Sequence, residues 1–347
     1  MIAGHYINYI GFSLVCLVLM TLPFLPAFRE WRYPSDAAAL PVSPDYGSDI
    51  DHFARRLQAD VAAKLGNGPA TGYEDFDFVS MPVNNMSWRE ASKRLIARTD
   101  INTLTPMRSV QPLYVQGSLR AGAESSFSAL YATGNIELGA ESEIHDWAHA
   151  DGVVRLDRKS LALRRISAGI AIELSSEAWF ERLQAPTLRF GSRTSHALPP
   201  AEANQTPASF ADLPGAVQQT PSLFLIRGDC VLGANKIYRG SLVVTGSLTV
   251  GERTTIIGDV KSREGMRIGR RAWVQGAITC EKRVHVLNDA QVAGPLISEN
   301  DILIGVNALI GLPDANTSVS ARNIIVEDGA VVHGVLWAHE IGMVKSA

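Results

Sequence analysis

Between Ile226 and Val344 an apolar or small residue returns every six positions, and this beat constrains the chain more than any other feature. One column reads Leu232, Val250, Ile268, Val286 and Ile304, each eighteen residues from the last. A second reads Tyr238, Ile256, Val274, Val292 and Ile310, and a third, smaller one reads Ser262, Cys280 and Ser298. Two residues before the members lie companions such as Leu248, Thr254, Val260, Met266 and Ala272. Residues two apart project to one side of a strand, so each six-residue unit is a short strand with a buried face. Three strands per eighteen residues, with Gly258, Gly276, Gly294 and Gly233, Gly251, Gly269, Gly305 at the bends, make a triangular coil. Turns stack about 4.8 Å apart and share one core, because no single turn can bury its own apolar side. A helical period of 3.6 cannot hold a six-residue beat over such a length.

The beat returns upstream at Ala132, Leu138, Ile144, Ala150, Leu156, Ala162, Ala168, Leu174 and Phe180. It predicts a first coil block over 111–191, opening near Leu113, and a second over 222–347. The Pro- and Ala-rich stretch 192–221 between them reads as a flexible insertion, and one coil interrupted by a loop is favoured over two coils. A shorter excursion, Leu312 to Thr317, lengthens one later turn. Residues 34–110 read as a mixed helical linker or cap. Ser48 and Asp51 open a helix with the stripe Phe53, Leu57, Val61 and Leu65, ended by Gly66, and Ser87 with Glu90 opens a shorter one carrying Trp88, Ala91 and Leu95. Such helices can cover the first turn of the coil, or merely tether it.

Residues 1–33 decide location. No Lys, Arg, Asp or Glu occurs before Arg29, and the 23 residues Tyr6–Phe28 can cross a hydrocarbon core of about 30 Å. Tyr6 and Tyr9 at one end, and Phe28, Trp31 and Tyr33 at the other, sit where aromatic belts form. The absence of an early basic residue and of a small-x-small site favours an anchor over a cleaved signal. Arg29 and Arg32 follow the span, so the positive-inside rule places the coil in the cytoplasm and the helix in the inner membrane.

A net charge of −3 gives no general pull toward nucleic acid, and no nucleic-acid partner is expected. Eight basic residues lie between Arg253 and Arg283, and a mixed solvated face is the simplest reading of them. Cys16, Cys230 and Cys280 have no zinc or disulfide spacing, and the last two fall on inward positions. No phosphate loop, zinc-protease motif or nucleophile elbow is present, so no catalytic, cofactor-binding or metal residue is assigned.

The run from Gly240 to Gly305, with the phrase Met266–Ile278 repeated in neighbouring turns, resembles the bactofilins, polymer-forming bacterial cytoskeletal proteins. The resemblance implies a right-handed coil and a non-enzymatic, nucleotide-independent scaffold that joins end to end, with no cofactor. The anchor, the first 110 residues and the interrupted coil depart from that pattern. A hexapeptide acyltransferase is one alternative, but it needs a small residue before each inward aliphatic and a histidine base. Only the column Thr254, Ala272, Ala290, Ala308 and Ala330 is small, His285 points outward, and His145, His149, His333 and His339 show no pattern. Alanine at His285, His333 and His339 is therefore expected to leave folding nearly unchanged. A polysaccharide-binding or polysaccharide-assembly β-helix is the other alternative. The scaffold reading expects an envelope protein partner and self-assembly. Ala338 and Val344 face inward on the last turn, and Leu336, Trp337 and Ile341 lie near it, so this end is expected to pair tail to tail with a second copy.

Overall fold

The computed structural model describes residues 2–32, 50–65, 75–79, 92–191 and 205–346. They form two units, Met1–Asp49 and Ile50–Ala347. In the first, α1 (Ile2–Thr21) and α2 (Leu25–Arg32) are joined by the 3-10 turn Leu22–Phe24, which carries Pro23 in its first turn. Proline cannot donate the hydrogen bond that an uninterrupted α-helix would need there. Within this stretch Gly11–Arg29 has a mean hydropathy of 2.0 and is long and apolar enough to cross a membrane.

The second unit is a β-solenoid, and the whole molecule carries about 14 turns of mostly parallel strands. Each turn has three strands, and each strand pairs with its equivalents one turn before and after. In the second half, Val250 pairs with Ile268, Ile268 with Val286 and Val286 with Ile304. Ile256 pairs with Val274, and Ser262 with Cys280. All the inward columns expected from the beat are buried, and their apolar members, including Cys230 and Cys280, form one continuous core. The longer turn at Leu312–Thr317 is also present: Leu309 pairs with Val331 across it, and Leu312 bridges Ala315.

The corners are more specific than a glycine pattern. One non-glycine residue per turn adopts a left-handed backbone, at Glu124, Glu141, Lys159 and Glu177, and again at Asn235, Arg253, Arg271, Asp289 and Asn307. The next residue is small and buried in eight of the nine cases (Ser125, Ser142, Ser160, Ala178, Thr254, Ala272, Ala290 and Ala308), Lys236 after Asn235 being the exception. A left-handed residue turns the chain sharply at a cost of about 1–2 kcal/mol, and a regular stack of such corners persists only because neighbouring turns hold each one.

The first coil begins earlier than the sequence suggested. Phe76–Val79 and Arg94–Ala97 are parallel strands in register, Phe76 with Arg94 and Val79 with Ala97, and Leu95 then pairs with Leu113. One full rung (Arg94–Ala97, Ile101–Asn102 and Arg108–Ser109) and a strand of an earlier one, Phe76–Val79, thus precede Leu113, inside the span expected to be a helical linker. Leu95 belongs to a strand, and Ser48, Gly66, Ser87, Trp88, Glu90 and Ala91 lie outside the described residues. The six-residue beat does extend upstream here, through Leu95, Ile101 and Met107 to Leu113, all buried, and in the sequence it is broken only before Leu95, at Arg89 and Asp77.

Helix α3 (His52–Leu65) forms where its stripe predicts. It does not plug the end of the coil. Ala54, Leu57 and Val61 pack on the side of the coil, against Phe76, Ile96, Tyr114 and Tyr131. Phe53 of the expected stripe remains exposed.

The stretch 192–221 is likewise more ordered than expected from residue 205 onward, while 192–204 lies outside the described residues. Thr206–Ala208 pairs in parallel with Lys236–Tyr238, and Ala216–Thr220 pairs antiparallel with Leu223–Ile226. Between them the 3-10 turn Phe210–Asp212, capped by the Ser209 hydroxyl accepting from the Ala211 N–H, points Phe210 into the coil. Its ring is fully buried, stacked on Tyr238 at 4.8 Å and tilted against Phe224 at 5.7 Å. This segment is a plug for the opening turn of the second coil.

The largest difference concerns direction. Trp179–Phe190, the closing strand of the first coil, pairs antiparallel with Val331–Lys345, the closing strand of the second. All three faces take part, through Phe180 opposite Gly342, Leu183 opposite Leu336 and Leu188 opposite Val332. There are two coils rather than one, meeting end to end with opposite chain direction and sharing a continuous core.

Candidate functional site at the junction of the two coils

The residues expected to form an open assembly end lie in this junction, and that expectation is corrected. Leu336, Ala338 and Val344 are completely buried. Trp337 faces Arg182 across the seam, with the guanidinium 4.4 Å from the indole centroid, and Ile341 is exposed at a corner. The backbone edge that looked open is paired within the chain: the Val344 N–H donates to the Ala178 carbonyl at 2.9 Å, and the Glu177 N–H to the Val344 carbonyl at 2.7 Å. The seam is shaped for its partner. A Cβ added to Gly342 would lie 2.3 Å from the Phe180 ring, so only glycine leaves room for that side chain.

His333 belongs to the same seam. It is 7% exposed, and its Nδ1 lies 3.0 Å from the Pro186 carbonyl of the first coil. The contact is part-buried and crosses the seam, so His333 is a packed seam residue rather than a free surface histidine, and His333→Ala is expected to loosen the seam modestly, read as a lower melting temperature. His339 is exposed, its ring tilted against Trp337 at 4.2 Å and 3.0 Å from the Ser320 hydroxyl. His285 projects from the coil in register with Arg267 and Leu303, as expected of an outward strand residue.

A second polar cluster escaped the sequence reading. Tyr114, Tyr131 and His149 stack one above another on the face that α3 covers, with ring centroids 5.0 and 5.4 Å apart. His149 Nδ1 lies 2.7 Å from Ser167 Oγ, and Nε2 lies 3.2 Å from Asp151, which also accepts from the Tyr131 hydroxyl at 2.8 Å. Writing the outward residues in columns would have exposed it, since His149 and Ser167 stand one turn apart. Ser167 is only 5% exposed, and both histidine nitrogens are already engaged, so the cluster ties neighbouring turns together beneath α3.

Burial holds the His149 pKa below its ordinary value of 6.5, with Arg55 acting the same way, while the nearby Asp151 and Asp51 carboxylates act in the opposite sense. A histidine harder to protonate when folded means that the unfolded chain binds more protons as pH falls. Stability is therefore expected to drop as pH falls through 6.5 and to level off below the folded-state pKa. His149→Gln should flatten part of that slope in thermal melts taken between about pH 7 and pH 5. An unchanged slope would assign the effect elsewhere, for example to His285, which burial and Arg267 also shift downward.

Much of the remaining surface is self-neutralised by stacking. Arg155 lies between Glu137 at 2.9 Å and Glu173 at 2.7 Å, and Glu173 also pairs with Arg189 at 2.9 Å. Three of the eight basic residues between Arg253 and Arg283 are paired likewise, Arg263 with Glu281, Lys282 with Glu264 and Arg283 with Asp301. Such exposed pairs each contribute little to stability and serve mainly to hold register. Beside the Arg155 ladder runs an open groove of about 540 Å³ floored by Gly122, Gly139 and Gly191. Among the described residues no cluster of three or more His, Cys, Asp or Glu could hold a metal ion.

Of the expected anchor residues, Tyr6 and Tyr9 lie on α1, and Phe28, Arg29, Trp31 and Arg32 on α2, with Phe28, Arg29 and Arg32 exposed. By its fold the chain is a β-solenoid preceded by one apolar helix. No protein-family model, curated protein or solved structure matches it.

Proposed function

We propose that the protein is a membrane-anchored, non-enzymatic scaffold of the bactofilin kind, which assembles with copies of itself and positions envelope or cytoskeletal partners. The observation that carries this reading is a long, regular solenoid with a continuous apolar core, preceded by a helix able to span a bilayer. The span is read as an inner-membrane anchor, and Arg29 and Arg32 favour a cytoplasmic solenoid.

With both closing turns used in the internal seam, assembly falls to the opening ends of the coils. Among the described residues, Ala216–Thr220 pairs on one side only, with Leu223–Ile226, and Val217, Gln218, Gln219 and Thr220 are exposed. An uncharged strand with one free edge is a template for another strand. Full-length protein in neutral detergent is expected to form species larger than one copy, by light scattering and electron microscopy. Val217→Lys should shift them toward single copies. A monodisperse single copy for the unaltered chain would overturn the scaffold reading. The groove beside the Arg155 ladder supports a second reading, an accessory protein that binds polysaccharide along the first coil. Saturable binding of a polysaccharide, lost on Arg155→Ala, would favour it.

A further inference from the structure

The ion-pair ladders break down at one corner of the seam. Arg165 and Arg182 stand directly opposite each other on adjacent strands, two like charges in register. Like charges in that position repel, and a sheet normally avoids the arrangement. Among the described residues neither arginine forms an ion pair, whereas Arg155, Arg189, Arg263 and Arg283 all do. Aromatic faces hold both guanidinium groups instead: Phe53 of α3 lies 5.3 Å from Arg165, and Trp337 lies 4.4 Å from Arg182. The Arg182 Nε is buried without a hydrogen-bond partner. Burial and the neighbouring Arg165 charge both disfavour the Arg182 cation, while the adjacent Glu181 carboxylate favours it.

The same corner is amphipathic. Arg164 is exposed next to Arg165, and around the arginines Leu163, Trp179 and Ile341 are each 42% exposed. They sit on three successive strands, since Leu161 pairs with Trp179 and Trp179 with Met343. The carboxylates nearby are Glu181, beside Arg182 in sequence, and Glu340, which pairs with Arg322 at 3.8 Å. A planar guanidinium pair suits one oxyanion held by several N–H donors, and the apolar rim suits an amphiphile better than a free ion or an acidic peptide.

We propose that this corner binds the headgroup phosphate of an anionic phospholipid, with Arg165 and Arg182 on the phosphate and Trp179, Leu163 and Ile341 against the start of the acyl chains. The assignment of lipid as the source rests on the membrane reading of the N-terminal helix. The test titrates lipid in solution, so it can fail or succeed whether or not that helix is an anchor.

Full-length protein in neutral maltoside micelles is titrated calorimetrically with dihexanoyl phosphatidylglycerol, dihexanoyl phosphatidylcholine, inorganic phosphate and polyglutamate. Phosphatidylglycerol is expected to bind about tenfold tighter than the other three, and the double change R165Q and R182Q should abolish that preference. The change removes a like-charge contact and also the two aromatic–guanidinium contacts, so the melting temperature without lipid is measured alongside to show that the variant is folded. Trp179→Ala, at an exposed position, should weaken phosphatidylglycerol and leave inorganic phosphate unaffected. Equal binding of the two lipids would overturn the proposal, as would full binding by the double variant. Phosphate alone matching phosphatidylglycerol would make this a site for soluble anions, and tighter polyglutamate would make it a site for acidic protein; either overturns the lipid assignment.

Discussion

Placing aspartate at Leu336 should split the solenoid into two coils that melt separately. Leu336 is fully buried and faces Leu183, also fully buried, across the seam. Burial of a carboxylate with no partner costs several kcal/mol, a large share of the roughly 5–15 kcal/mol that holds a domain together. The pairing within each coil does not pass through this contact. The first coil keeps its parallel ladder from Phe76 to Phe190, and the second keeps its own from Leu223 to Val344. Calorimetry of the Leu336→Asp variant should show two transitions in place of one, and the strands at 179–190 and 331–345 should lose hydrogen-exchange protection first. Gly342→Ala tests the same seam on another face, because its Cβ would lie 2.3 Å from the Phe180 ring and 2.4 Å from the Phe180 carbonyl oxygen. Two transitions in the unaltered protein, unchanged by either substitution, would mean that the seam contributes little to stability.

Truncating Phe210 to alanine should open the far end of the second coil. A buried phenylalanine typically costs about 3–5 kcal/mol when replaced by alanine, and this ring is the lid over Tyr238 and Phe224. Local opening is expected rather than global collapse, since the loss falls at the end of a one-dimensional stack. Hydrogen exchange should accelerate at Leu223–Ile226 and Lys236–Arg239, with little change at Val284–Val286. The freed turn presents an apolar core and unpaired backbone, so the variant should also associate more readily than the unaltered chain. If exchange rises uniformly along the coil, Phe210 is part of a global core and the capping account is wrong.

The same reasoning separates what the residues spelled out from what they left open. The second coil was legible almost residue by residue. A six-residue beat places Val250, Ile268 and Val286 inward whatever surrounds them, and the three strands per turn follow from it. Helix α3 was legible too, because Leu57 and Val61 recur at helical spacing. The opening rungs were legible only in part, since Leu95, Ile101, Met107 and Leu113 hold the six-residue beat but Arg89 and Asp77 break it upstream, and Phe76–Val79 is only four residues long. The aromatic plug at Phe210 was masked by a surrounding composition that reads as loop.

The His149 cluster and the Arg165–Arg182 pair arise from outward positions. An outward residue acquires meaning only beside its equivalents one turn away, and a register slip of one residue, as between Ala162 and Arg165, hides that neighbour. The seam itself could not be read from the pattern. Alternation of inward and outward residues is the same in both chain directions, so Leu183 and Leu336 look alike whether their strands run parallel or antiparallel. The sequence by itself determined that turns would stack, which residues would be inside, and that an apolar helix precedes them. Only the tertiary structure decided which ends meet, because backbone edges are chemically alike and the choice among them rests on shape: the Phe180 ring fits where Gly342 leaves space.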